Sequence, residues 1–93
     1  MYLPLDGPAL NEALSVSSAV EVKAGASKLD ERKVITIQPI DGDIWFGFSS
    51  SDLSTKGSLI KQGQYFLIEC SDQLAAYVQA DSGTVDVRIS EIA

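Results

Sequence analysis

Residue types that do chemistry are thinly spread in this chain. It has no histidine, and so lacks the usual general base near neutral pH and the commonest transition-metal ligand. Serine–histidine and cysteine–histidine nucleophiles are thereby excluded within one chain. Carboxylates remain, and a pair of them flanking a glycosidic bond is the chemistry they suit; Asp41 with Asp43 and Asp81 with Asp86 are the nearest pairs. Asp41 and Asp81 sit at turns, where aspartate is favoured because its side chain bonds nearby backbone. Asp41-Gly42-Asp43 opens like a calcium loop, but Ile44 and Trp45 end the polar run before enough oxygen ligands accumulate. Lys56-Gly57-Ser58 reverses the order of a phosphate-binding Gly-Lys-Ser and has no glycine-rich cradle before it. Cys70 is the single cysteine; it alternates with Phe66 and Ile68, which reads as a buried small hydrophobe rather than an activated thiol. The sequence thus calls for no metal, no cofactor and no enzymatic activity.

Trp45 and Tyr77 are the residues left with binding potential. An aromatic on a sheet face can stack on a sugar, although such sites usually join more than one aromatic to amide and carboxylate partners. The same rings can instead be covered by another part of the chain or by a neighbouring subunit.

The elements that must position these residues are strands. From Val34 to Phe48 apolar residues alternate around Asp41-Gly42, which suits a two-residue type I′ hairpin and pairs Ile37 with Phe46 and Ile35 with Phe48. That register sets Trp45 opposite Gln38, on the face away from the phenylalanines. A second pair is expected from Leu74–Ala80 and Thr84–Glu91, in the register that joins Ala80 to Val85, Val78 to Val87 and Ala76 to Ile89, with Tyr77 against Arg88 on the other face. A one-residue slip there would send the apolar set to solvent, at roughly 1.5–3 kcal/mol for each large side chain. Val20 and Val22 alternate with Glu21 and Lys23 in an earlier strand, and Tyr65–Cys70 forms another. Ser58–Gln62, bracketed by Gly57 and Gly63, is too short for a helix and reads as a loop or short strand.

Residues 1–14 stand apart. Pro4, Gly7 and Pro8 oppose regular pairing, Ala9–Leu14 is at most a short helical turn, and the segment reads as an arm that packs on its own domain or docks on a neighbouring subunit. Residues 15–93 then form one all-β domain, a small antiparallel sandwich or flattened barrel of six to eight strands.

The chain has 93 residues, 45% hydrophobic and 22% charged, the composition of a single globular domain. Its net charge of −6 disfavours nucleic acid as a partner. Residues 34–93 carry most of that excess, −5 against −1 for residues 1–33. A lone cysteine fits a reducing cytosol, and neither a signal peptide nor a membrane-spanning stretch is expected.

An ordered set of features carries a resemblance across about residues 33–91. These are Arg32-Lys33 before a strand, Trp45-Phe46-Gly47-Phe48-Ser49, Thr55-Lys56-Gly57-Ser58-Leu59, Gly63, and the terminal Val85–Glu91 run Val-Asp-Val-Arg-Ile-Ser-Glu. In these the chain resembles small β-structured virion proteins encoded near the capsid and head–tail genes of tailed bacteriophages. The resemblance implies a non-enzymatic structural protein in a decoration, head-completion or neck role. Such a protein is assembled in the bacterial host cytoplasm, and it binds copies of itself or capsid, portal or tail proteins. The interface residues expected for that role are Tyr2, Leu3, Leu5, Leu10 and Leu14 in the arm, with Trp45 and Tyr77. The alternative expectation is a small ligand-binding sandwich, carbohydrate-binding through Trp45 and Tyr77.

Overall fold

The computed structural model describes residues 7–93. Eight strands and one helical turn follow one another: β1 (Ala9–Val16), β2 (Val20–Glu21), β3 (Val34–Pro39), β4 (Ile44–Gly47), α1 (Leu53–Lys56), β5 (Ser58–Ile60), β6 (Phe66–Glu69), β7 (Tyr77–Ala80) and β8 (Val85–Ile92). They form two four-stranded antiparallel sheets, in the orders β1-β8-β3-β6 and β2-β7-β4-β5. The chain is therefore a small all-β sandwich of two separate sheets and not a closed barrel.

The pairing is nested. β4 pairs with β5, β3 with β6, β2 with β7 and β1 with β8, so the polypeptide is one long hairpin whose tip is the 48–57 segment, rolled until its two halves face each other. This order of two interleaved sheets is the jelly roll. The roll closes through β3–β8 and β4–β7.

Both expected hairpins are corrected by this topology. β3 and β4 lie in different sheets, as do β7 and β8. The Asp41-Gly42 turn is a corner between sheets: the Ile40 amide donates to the Asp86 carbonyl at 2.8 Å, still beside β8, while the Asp43 carbonyl accepts from the Asp81 amide at 3.0 Å, already beside β7. Neither Asp41 nor Gly42 has the positive φ a type I′ turn needs. Gly42 is required for another reason, since a Cβ there would stand 2.8 Å from Val85 Cγ2. The partners named by the sequence still meet, but across the interior rather than along a ladder. Ile35 and Ile37 join Ile44 and Phe46 in the core, and Ala76, Val78 and Ala80 join Val85, Val87 and Ile89. Alternation determines which side of a strand faces inward; it does not determine the neighbouring strand.

Three smaller differences follow. Ala9–Leu14 is not a helical turn but most of β1, paired with β8 from Ala9↔Ile92 to Val16↔Val85. Phe48 lies beyond β4 and is 50% exposed, its ring edge-on to Phe46 at 5.4 Å. A single helical turn, α1, sits at the hairpin tip, where Leu53 is buried. Cys70 is buried as expected, and Ser58–Ile60 is a short strand.

Candidate functional site

Trp45 and Tyr77 share the outer face of the β2-β7-β4-β5 sheet. On β4, Ile44 and Phe46 point inward, so Trp45 and Gly47 point out; on β7, Val78 and Ala80 point inward, so Tyr77 and Gln79 point out. Trp45 stands opposite Gln79 on one side and Leu59 on the other, and Tyr77 stands between Gly47 and Glu21. The two rings are thus diagonal neighbours, and the place a Gly47 side chain would take is filled by Leu53, whose Cδ2 would stand 2.7 Å from a Cβ there. Trp45 is half-buried, and its indole Nε1 donates to Asp81 Oδ1 at 2.9 Å, which fixes the ring's orientation. Glu21 accepts from Lys28 Nζ at 3.1 Å, with Lys23 at 3.6 Å. An amide and carboxylates therefore do border the two aromatics.

The four carboxylates singled out as possible acid–base pairs all hold structure. Asp41 accepts from the Asp86 amide, Asp81 from Trp45, and Asp86 from Arg88 through Nε at 3.1 Å and Nη2 at 2.9 Å. Asp43 accepts from the Gln62 amide at 2.8 Å and from Lys61 Nζ at 3.3 Å. The Gln62 amide above all, with Lys61 beside it, holds the Asp43 carboxyl below its ordinary range.

The expected arm residues do not join Trp45. Leu10 and Leu14 lie on β1, at an edge of the other sheet; Leu14 packs against the core, while Leu10 is 44% exposed. Tyr2, Leu3 and Leu5 lie outside the described residues. The candidate interface thus divides into the β1 edge, which has β8 as its ladder partner, and the Trp45–Tyr77 face.

A third cluster went unread in the sequence. Arg32 and Glu91 form a fully buried ion pair, Nη1 to Oε2 at 2.7 Å. Glu91 also accepts from the Ala24 amide at 2.6 Å and the Leu29 amide at 2.9 Å. Arg32 donates to the carbonyls of Val22, Ser71 and Leu74, and its Nη2 lies 3.5 Å from Cys70 Sγ. Burial alone would push the Glu91 carboxyl up, but the two amides and the guanidinium outweigh it and hold the carboxyl below the ordinary value of 4.5. Glu91 did leave a signal, as an acid in the inward phase after Val85, Val87 and Ile89. Arg32 left none, because it precedes its strand. With every polar atom of this cluster partnered, it is a structural plug rather than a site.

No protein-family model matches the chain, and no curated protein matches it. Among the described residues no group of His, Cys, Asp and Glu is arranged to hold a metal ion, and no helix is long and apolar enough to cross a membrane.

Proposed function

We propose that the chain is a non-enzymatic assembly module of a virion, binding copies of itself or a capsid, portal or tail protein through the β1 edge, with the Trp45–Tyr77 face as a second contact. The observation that carries this reading is β1 itself. It is an eight-residue edge strand, exposed along most of its length, with Glu12 as its one charge. Natural sheets usually blunt such edges with lysines, prolines or bulges, because an open ladder templates pairing with another chain. β1 carries none of these within the strand. A second chain pairing there extends the sheet and covers Leu10. The jelly-roll topology supports the setting only as an analogy, since that fold builds capsid domains and also lectins.

The experiment is native mass by light scattering across a concentration series. The expected result is a defined oligomer for the full chain. Leu10→Lys, which adds a charge to the edge without touching the core, shifts it to monomer. A variant lacking residues 1–6 asks separately whether Tyr2, Leu3 and Leu5 contribute. Removing residues 1–14 is the wrong test, because it strips most of β1 from β8. A full-length chain that stays monomeric at every concentration overturns self-assembly, and an oligomer indifferent to Leu10→Lys removes β1 from the interface.

A further inference from the structure

The outer face of the β1-β8-β3-β6 sheet carries a groove of about 510 Å³, lined by Asn11, Thr36, Gln38, Tyr65, Arg88 and Ser90 among others. Its shape follows from the ladder. One row across the sheet runs Asn11–Ser90–Thr36 and the next runs Ala13–Arg88–Gln38, so short side chains make a trough beside longer ones. Tyr65, one residue before β6, rises at the rim and is 64% exposed.

The polar atoms in this trough are only partly engaged. Ser90 Oγ donates to Asn11 Oδ1 at 2.7 Å, Gln38 Nε2 donates to the Gly63 carbonyl at 3.1 Å, and Asp86 takes Nε and Nη2 of Arg88. That leaves Asn11 Nδ2 and Arg88 Nη1 as donors and Gln38 Oε1 as an acceptor toward the groove. Thr36 lies on the floor. Its residue is 3% exposed, its hydroxyl makes no hydrogen bond among the described residues, and no buried side-chain polar atom there lacks a partner, so the hydroxyl is the part of Thr36 that opens to the groove.

We infer that this groove is a binding site for a neutral saccharide of one or two rings. The mixture of donors with acceptors is what selects the ligand class. A sugar hydroxyl both donates and accepts, and so matches the set, whereas phosphate or carboxylate takes donors alone. Charge agrees, because Arg88 is neutralised by Asp86 and Glu12 also borders the groove. The volume lies within the range of small-molecule sites, and the Tyr65 ring supplies an apolar surface for a pyranose face beside the polar floor. The site is on the sheet opposite to Trp45 and Tyr77; it does not rest on the assembly reading, although it shares β1 with the edge proposed there.

The test is amide chemical-shift titration of the full chain with cellobiose, maltose, lactose and N,N′-diacetylchitobiose, using glucuronic acid and inorganic phosphate as charged controls. At least one neutral disaccharide should shift amides around Asn11, Thr36, Gln38 and Ser90 at millimolar concentration. Thr36→Val, which keeps the shape and removes the hydroxyl, should weaken that binding roughly five- to tenfold. Tyr65→Ala, at an exposed rim that leaves the core untouched, should weaken it comparably. Shifts centred on Trp45 and Tyr77 instead, binding of the charged controls alone, or no response to any of the four sugars each overturn the assignment.

Discussion

One end of this sandwich is closed by steric fit and the other by charge. At the first, the connections after β1, β3, β5 and β7 are short, none longer than five residues, and the chain steps between sheets with Gly42 pressed against Val85. At the second, the 22–33 and 70–76 segments are too long to be tied by their flanking strands. Arg32 and Glu91 gather them onto the end of β8 instead. The two ends solve one problem with different physics. A tight corner needs the absence of a side chain, and a long connection needs polar groups that satisfy its backbone. β8 spans both, with Val85 at the corner and Glu91 in the plug.

The comparison breaks most readily at the charged end. Glu91→Ala leaves Arg32 buried without its counter-ion and should cost about 3–5 kcal/mol in chemical denaturation. Acid tests the same group without mutation. Because its folded carboxyl titrates below 4.5, Glu91 contributes fully above that pH, and its contribution is lost as the pH falls through the folded value. Melting temperature should therefore fall on acidification below 4.5, and Glu91→Gln should shallow that fall. At the steric end, Gly42→Ala forces a Cβ against a core valine and should cost about 1–3 kcal/mol, read as a lower denaturation midpoint at unchanged slope. Asp81→Ala removes the Trp45 tether and should cost about 1 kcal/mol or less, while shifting tryptophan emission. Replacing Arg32 and Glu91 together by leucine removes the desolvation of both charges but strands the Ala24 and Leu29 amides and the Val22, Ser71 and Leu74 carbonyls, so the denaturation midpoint should still fall. A double variant as stable as wild type would show that this end does not depend on the backbone groups held by the pair.

Inward and outward sides of the strands were legible from alternation, and with them much of the core: Ile35, Ile37, Phe46, Val78, Val85 and Val87 fall on the buried side. Phe48, expected beside them, is half exposed, and Leu53 and Ile60 carried no such signal. Which strand lay beside which was not legible. A period of two fits either ladder neighbours or strands facing across the interior, and Asp-Gly serves a corner as well as a hairpin. The candidate site suffered accordingly. Trp45 and Tyr77 could each be turned outward from sequence, but their meeting depends on the β4–β7 ladder, which no local pattern encodes. Thr36 falls in the outward phase of β3, yet the row it joins is completed by Ser90 and, beyond it, Asn11, from strands far along the chain in either direction.

The nested pairing also sets an order of events during synthesis. β4 and β5 can meet as soon as the 48–57 tip is made, and β3 and then β2 find their partners as β6 and β7 appear. Ala9 must wait for Ile92. At roughly 5–20 residues per second that delay lasts several seconds. Throughout it β1 is open along both of its edges, and the arrival of β8 closes one of them and leaves the other.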